Sequence, residues 1–254
     1  MQSIILPRAA FAALAAVATS LVPAAASPAA AQIAPGSTLV FTGMADATEL
    51  GSAGVRLEFA EPVTIDPSAN SGSFASLTEM LRGATGSLET LTVGAGPQSI
   101  TDFLRVGPYS FDLAYVPSGP YGQDDCYVAP AVGQRCTPFQ LPGFELSPFY
   151  LENVASGGSD ALFTALVSFD VEGTVRGGGA TSAFSGTISA TFEGLSYQEA
   201  LAGLEQDGLR GVPFTGTFVA HSSVVPEPST IALVATGLAG IAGAAWRRTG
   251  RRRR

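Results

Sequence analysis

Lysine is absent from this chain; all thirteen basic residues are arginine. Histidine and tryptophan occur once each and cysteine twice, and charged residues make up 13% of the 254 positions, well below the usual quarter. Each shortage excludes something. A single histidine, His221, cannot build a zinc site alone. Cys126 and Cys136 are too far apart for a C-x-x-C redox pair. No G-x-S-x-G elbow surrounds any of the many serines, so a Ser-His-Asp hydrolase lacks its local signature. No P-loop or G-x-G-x-x-G motif is present either; Gly177-Gly178-Gly179 follows one strand pattern and opens another, not a helix. What the chain does have is glycine, 30 residues of it. Low charge and high glycine favour β-structure with many turns over a helical bundle.

Charge is divided along the chain. Between Gln32 and Ser223 there are twenty acidic residues against six arginines, at 56, 82, 105, 135, 176 and 210, so this stretch carries about −14. An acidic body repels phosphate backbones, and a nucleic-acid partner is not expected. Six of the remaining arginines, Arg247, Arg248, Arg251, Arg252, Arg253 and Arg254, close the chain.

The two ends read as addresses. At the start, Arg8 precedes the apolar run Ala9–Val22, and small-x-small sites end at Ala26 and Ala31. That pattern predicts a secretory signal peptide over residues 1–31. At the other end, Ile231–Trp246 is uncharged and mostly apolar. Sixteen helical residues rise roughly 24 Å, short of the ~30 Å hydrocarbon core. Counted from Ser229, and with snorkelling arginines, the segment predicts a single transmembrane helix over about 229–246 in a thin bilayer. The arginine tail 247–254 then stays in the cytoplasm as a stop-transfer signal, and the acidic body lies outside the inner membrane. Pro226-Glu227-Pro228 stands just before the helix; two prolines around one residue hold it extended.

The order Val225-Pro226-Glu227-Pro228-Ser229-Thr230, then a short apolar run, then an arginine cluster, resembles the PEP-CTERM sorting signal. The resemblance covers residues 224–254. It implies cleavage by an exosortase as partner enzyme, a transient inner-membrane anchor, and a destination at the cell surface or in extracellular matrix, in association with exopolysaccharide or biofilm. It implies nothing specific about residues 32–223.

The body shows period-two alternation. Phe163, Ala165, Val167, Phe169, Val171 and Val175 share one face; so do Phe184, Ile188, Ala190 and Phe192, and Val212, Phe214, Phe218 and Ala220. Serines, threonines and acids occupy the opposite faces, as in antiparallel strands wet on one side. Arg176–Ala180 predicts a hairpin turn between the first two. Leu39/Phe41, Val55/Leu57/Phe59, Leu91/Val93 and Tyr109/Phe111/Leu113/Tyr115 predict four earlier strands. One helix is expected over Ser196–Asp207, with a Ser196–Glu199 capping box, a Tyr197/Leu201/Leu204 stripe and Gly208 as its stop. Seven or more short strands between Gly/Pro turns predict a mainly β body, an antiparallel β-sandwich or jelly-roll-like fold with one short helix.

Cys126 and Cys136 share one Pro/Gly-rich loop, and in an exported protein they predict a disulfide. Asp66, Ser68 and Asn70 alternate as in a calcium loop, but Ser71 replaces the required glycine and Leu77 the closing acid, so a turn is the better reading. Asp124-Asp125 read as hydrated surface acids. No metal or cofactor is expected. Twenty acids always allow pairs, and nothing singles out two for glycoside hydrolysis. The expected function is that of a non-enzymatic, exported surface or matrix protein. The alternatives are a carbohydrate-binding module, with Tyr109, Tyr115, Tyr121 and Tyr127 as stacking surfaces, and, below it, a polysaccharide hydrolase.

Overall fold

A computed structural model describes residues 33–222, apart from 51–53, 76, 78–84, 95–97, 139–146 and 157–162. The predicted signal peptide, the Pro226–Pro228 motif, the 229–246 segment and the arginine tail all lie outside the described residues. Among those described, no helix is long and apolar enough to cross a membrane.

The strands are β1 (Thr38–Glu49), β2 (Gly54–Phe59), β3 (Val63–Ile65), β4 (Thr85–Leu88), β5 (Leu91–Gly94), β6 (Ile100–Val106), β7 (Tyr109–Tyr115), β8 (Arg135–Cys136), β9 (Tyr150–Ala155), β10 (Phe163–Gly177), β11 (Ala180–Glu193) and β12 (Leu209–His221). The helix α1 (Tyr197–Asp207) joins β11 to β12. All pairings are antiparallel and all strands belong to one sheet. Its order runs β11-β12-β1-β3-β4-β6-β7-β10, and β10 pairs back onto β11. Eight strands thus close an up-and-down barrel.

This corrects the expected sandwich or jelly roll. Alternation on its own says that strands have one buried face; it does not say whether that face meets a second sheet or the far side of the same one. The long β10–β11 pairing, from Thr164↔Glu193 to Gly177↔Ala180, supplies the closure. A two-residue turn at Gly178 and Gly179, with φ of 59° and 80°, links them, the backbone that a tight hairpin between right-twisted strands requires.

Closing a barrel with so many inward phenylalanines needs space, and glycine provides it. Phe41 lies directly opposite Gly216, Phe214 opposite Gly43, Phe218 opposite Gly186, and Phe184 opposite Gly173. In each pair the ring occupies the place where a Cβ on the glycine would stand. Large and small residues therefore alternate around the wall, as a filled eight-stranded barrel demands. The rings meet mostly edge to face: Phe41 and Phe218 have centroids 5.0 Å apart, and Phe111 and Phe184 are 5.2 Å apart. A bulge in β6 adds to this filling. Between the pairs Ile100↔Leu113 and Leu104↔Phe111 the register slips, and Phe103 and Leu104, though adjacent, are both fully buried. Asp102 turns this corner at φ 56°, a left-handed conformation that aspartate tolerates better than most residues.

The barrel forks at its other end. One edge of β1 pairs with β3 at Phe41–Thr42 and with β2 at Ala45–Glu49. One edge of β10 pairs with β7 at Glu172–Arg176 and with β9 at Phe163–Ser168. There the wall opens into a trough running from β5 and β2 to β9 and β8, and α1 packs across it against β1, β9, β10 and β12. Ser196 caps α1 with the full reciprocal box to Glu199. Tyr197 is fully buried, while Leu201 and Leu204 face the trough. Among the described residues the buried apolar side chains run from Ile33 to Ala220 and form one large core cluster and a small one around Cys126, Cys136 and Tyr197.

Candidate functional site

The outer wall of the barrel presents a feature assembled only by register. Thr85, Thr64, Thr42, Thr215, Ser189, Ser168 and Tyr150 are cross-strand neighbours in turn, from β4 through β3, β1, β12, β11 and β10 to β9. Each of the seven carries a hydroxyl. Strands lie about 4.8 Å apart, so the row is a ladder of hydroxyls across the sheet, exposed at Thr85, Thr64, Thr42 and Thr215, half-buried at Ser189 and Tyr150, and buried at Ser168. Its middle, at Thr42, Thr64 and Thr215, lines a shallow open depression with Met44 and Pro213.

At its β9 end the ladder meets a fixed polar cluster. Ser168 Oγ and Ser189 Oγ are 2.8 Å apart. The Tyr150 hydroxyl donates to Asp170 Oδ1 at 3.1 Å, and Thr187 donates to the same oxygen at 2.6 Å. Burial, followed by the nearby Asp170 carboxylate, pushes the Tyr150 hydroxyl up to about 12, so it stays a proton donor in this bond at neutral pH. Tyr121 sits edge-on to Tyr150 with centroids 5.8 Å apart. The Arg135 guanidinium lies 5.7 Å from the Tyr121 ring centre and pairs with Glu152 at 2.8 Å. Cation, ring and carboxylate hold one another in place.

A second cluster pins the β6 bulge. Asp102 accepts from Arg105 and Ser110, Arg176 bridges Asp102 and Asp112, and Asp112 Oδ1 accepts from the Asp102 amide at 2.8 Å. Arg105, then Ser110, holds the Asp102 carboxyl below its ordinary value. These acids serve the wall of the barrel.

Cys126 and Cys136 are joined by a disulfide, with Cα atoms 5.3 Å apart. Their loop is clamped against α1. Tyr197 donates its hydroxyl to Asp125 O at 2.7 Å, Gln198 donates to Val128 O, and Asn153 takes the Tyr197 amide and donates to Gln198. Asp124 and Asp125 open the short turn that leads into Cys126.

The other residues singled out in the sequence fall apart from these clusters. His221 ends β12 on the outer surface, with Nε2 2.6 Å from Ser185 Oγ. Asp66 takes both the amide and the hydroxyl of Ser68, at 2.9 and 2.7 Å, and Asn70 takes the Val40 amide at 2.8 Å; the segment is a turn. Among the described residues no group of three or more histidines, cysteines or acids could hold a metal ion. Tyr109 is half-buried, packs on Phe74 and donates to Ser73 O at 2.8 Å. Tyr115 and Tyr127 are exposed. Sequence reasoning missed Tyr150, Asp170 and Asp102. Period two placed Asp170 and Thr187 on the polar face, but only the pairing register brings them together.

Comparison with known families places one segment. The model of the PEP-CTERM protein-sorting motif matches residues 224–254. Neither a curated protein nor a solved structure matches the chain.

Proposed function

We propose that this chain, which its PEP-CTERM sorting motif marks as an exported exosortase substrate, is a non-catalytic surface or extracellular-matrix protein whose barrel is the delivered cargo. The observation that carries this reading is the sorting motif itself, joined to a body with its own closed core. Geometry adds support. β12 ends beside the start of β1: the Ala220 amide donates to Ser37 O at 2.9 Å, and the Gly36 amide donates to Ala220 O at 2.8 Å. β12 thus ends where β1 begins, at the ring-packed end of the barrel. The forked end with α1 and the disulfide loop is the opposite end of the barrel.

The test replaces Pro226-Glu227-Pro228 with three alanines in a host that carries an exosortase. The apolar run and arginines are untouched, so export should persist. The expected outcome is an uncleaved protein that accumulates in the inner membrane with its body outside, read by mass and fractionation. If variant and wild type are processed and released alike, the proposal fails.

A second reading, a carbohydrate-binding module, is favoured by the seven-residue hydroxyl ladder ending at Tyr150 and Tyr121. A glycan array probed with residues 32–223 tests it. Saturable binding lost in Thr42→Val/Thr215→Val supports it, and no binding to any glycan removes it.

A further inference from the structure

The small core cluster consists of Cys126, Cys136, Leu151, Ala165 and Tyr197, so the cystine supplies two of its five buried members. The loop that the cystine closes buries little else. Tyr127, Val128, Ala129, Pro130, Ala131 and Val132 are apolar residues in succession, and all of them are exposed. Apolar burial therefore does not offset the conformational entropy lost when this loop is ordered. The disulfide and hydrogen bonds hold it instead. Among the described residues, the bonds that tie it to other elements run to β9 and α1 and to none of the eight barrel strands. Gly133 donates to Asn153 O at 2.6 Å, and the Asn153 amide donates to Gln134 O at 3.0 Å. Arg135 pairs with Glu152. Gln198 Nε2 donates to Val128 O and to Gln134 Oε1, each at 3.2 Å.

The first turn of α1 depends on the same contacts. Asn153 is fully buried; its side chain holds the Tyr197 amide and Gln198, while its backbone is paired with the loop. Tyr197 is fully buried too, and its hydroxyl meets Asp125 O at 2.7 Å. If the loop leaves, that buried hydroxyl loses its acceptor, a cost that favours release of the turn. We propose that the cystine loop is a redox latch on α1: oxidised, it holds the first turn of the helix, and reduced, it frees that turn while the eight-stranded barrel stays folded. Closure joins the two sulfurs and passes two electrons and two protons to a disulfide oxidant, which becomes a dithiol; a dithiol reductant reverses the step. The chain is exported, so the latch closes only after the body has left the reducing cytoplasm.

Reduction of the full-length protein by dithiothreitol tests the latch. Both cysteines are buried, so the reductant reaches the sulfurs only when the loop opens, and the reduction rate reports that opening. Local opening exposes little surface, and the denaturant dependence scales with the surface exposed. The rate is therefore expected to be nearly independent of urea at low concentration. Tyr197→Phe, which removes the bond to Asp125 O, should speed reduction about fivefold. Thr181→Ala, an exposed site at the far end of the barrel, should reduce at the wild-type rate. In hydrogen exchange, the reduced protein should lose protection over residues 124–137 and 197–200 and keep it in β10, β11 and β12. A reduction rate that climbs with urea as steeply as global unfolding overturns the proposal. So does a Tyr197→Phe rate equal to that of wild type, unchanged protection of α1 on reduction, or loss of protection across the whole barrel at once.

Discussion

The two halves of this barrel fill the same kind of interior by different means. In the half where the wall is closed, phenylalanine rings lie on glycines of the neighbouring strand, and Phe41, Phe111 and Phe218 are completely excluded from solvent. In the forked half, Ala190 stands opposite Phe214 and Ala47 opposite Leu57 and Leu209, a helix closes the gap from outside, and an apolar pocket remains. In the first half a Cβ added at Gly43, Gly173, Gly186 or Gly216 would meet a ring. In the second an apolar pocket is left unfilled. Tight packing fixes shape, whereas an apolar pocket that the rings do not fill leaves space for added carbon.

Removing a ring should separate the halves most clearly. Phe218→Ala empties the centre of the aromatic cluster and should cost ~3–5 kcal/mol. Leu204→Ala, beside an existing void, loses fewer contacts and should cost ~1–2 kcal/mol. Urea midpoints of the two variants measure the contrast, and equal losses would erase it. Next in size is the disulfide. Replacing Cys126 and Cys136 together by alanine frees a short loop and should cost ~2–3 kcal/mol. Mass after alkylation of native protein should show no free thiol.

Adding atoms should give opposite signs in the two halves. Gly216→Ala drives a methyl into the Phe41 ring and should cost ~1–3 kcal/mol. Ala190→Val adds carbon toward the cavity and should be neutral or stabilising by up to ~1 kcal/mol. Thermal melts of both decide this.

The smallest effect expected is electrostatic. Asp102 is held below its ordinary value by Arg105 and Ser110. A depressed folded value means that its contribution is complete above the unfolded value, ~3.9, and fades as pH falls through the folded one. The melting-temperature advantage of wild type over Asp102→Asn should be present at pH 6 and shrink below about pH 4. A constant difference across that range would assign the effect to the bulge's backbone and not to charge.

Much of this was open to reading in the chain alone. The sorting signal is local: Pro-Glu-Pro, an apolar run and six arginines in order are recognised residue by residue, without a fold. The inward faces of β10, β11 and β12, the Gly178–Gly179 turn and the Ser196–Glu199 cap were equally legible, because period two, positive φ and capping depend on near neighbours in sequence. Closure, register and cavity were not. Whether β10 returns to β11 as the last joint of a ring, which threonine stands beside which, and whether an alanine faces a ring or an empty space depend on pairings between residues far apart in sequence. The sequence by itself determined which side of β1, β2, β5, β7, β10, β11 and β12 is apolar and that the chain carries a sorting signal for export. Only the tertiary structure decided that those apolar sides face each other around one barrel, since alternation repeats every two residues and carries no record of which strand lies across the core.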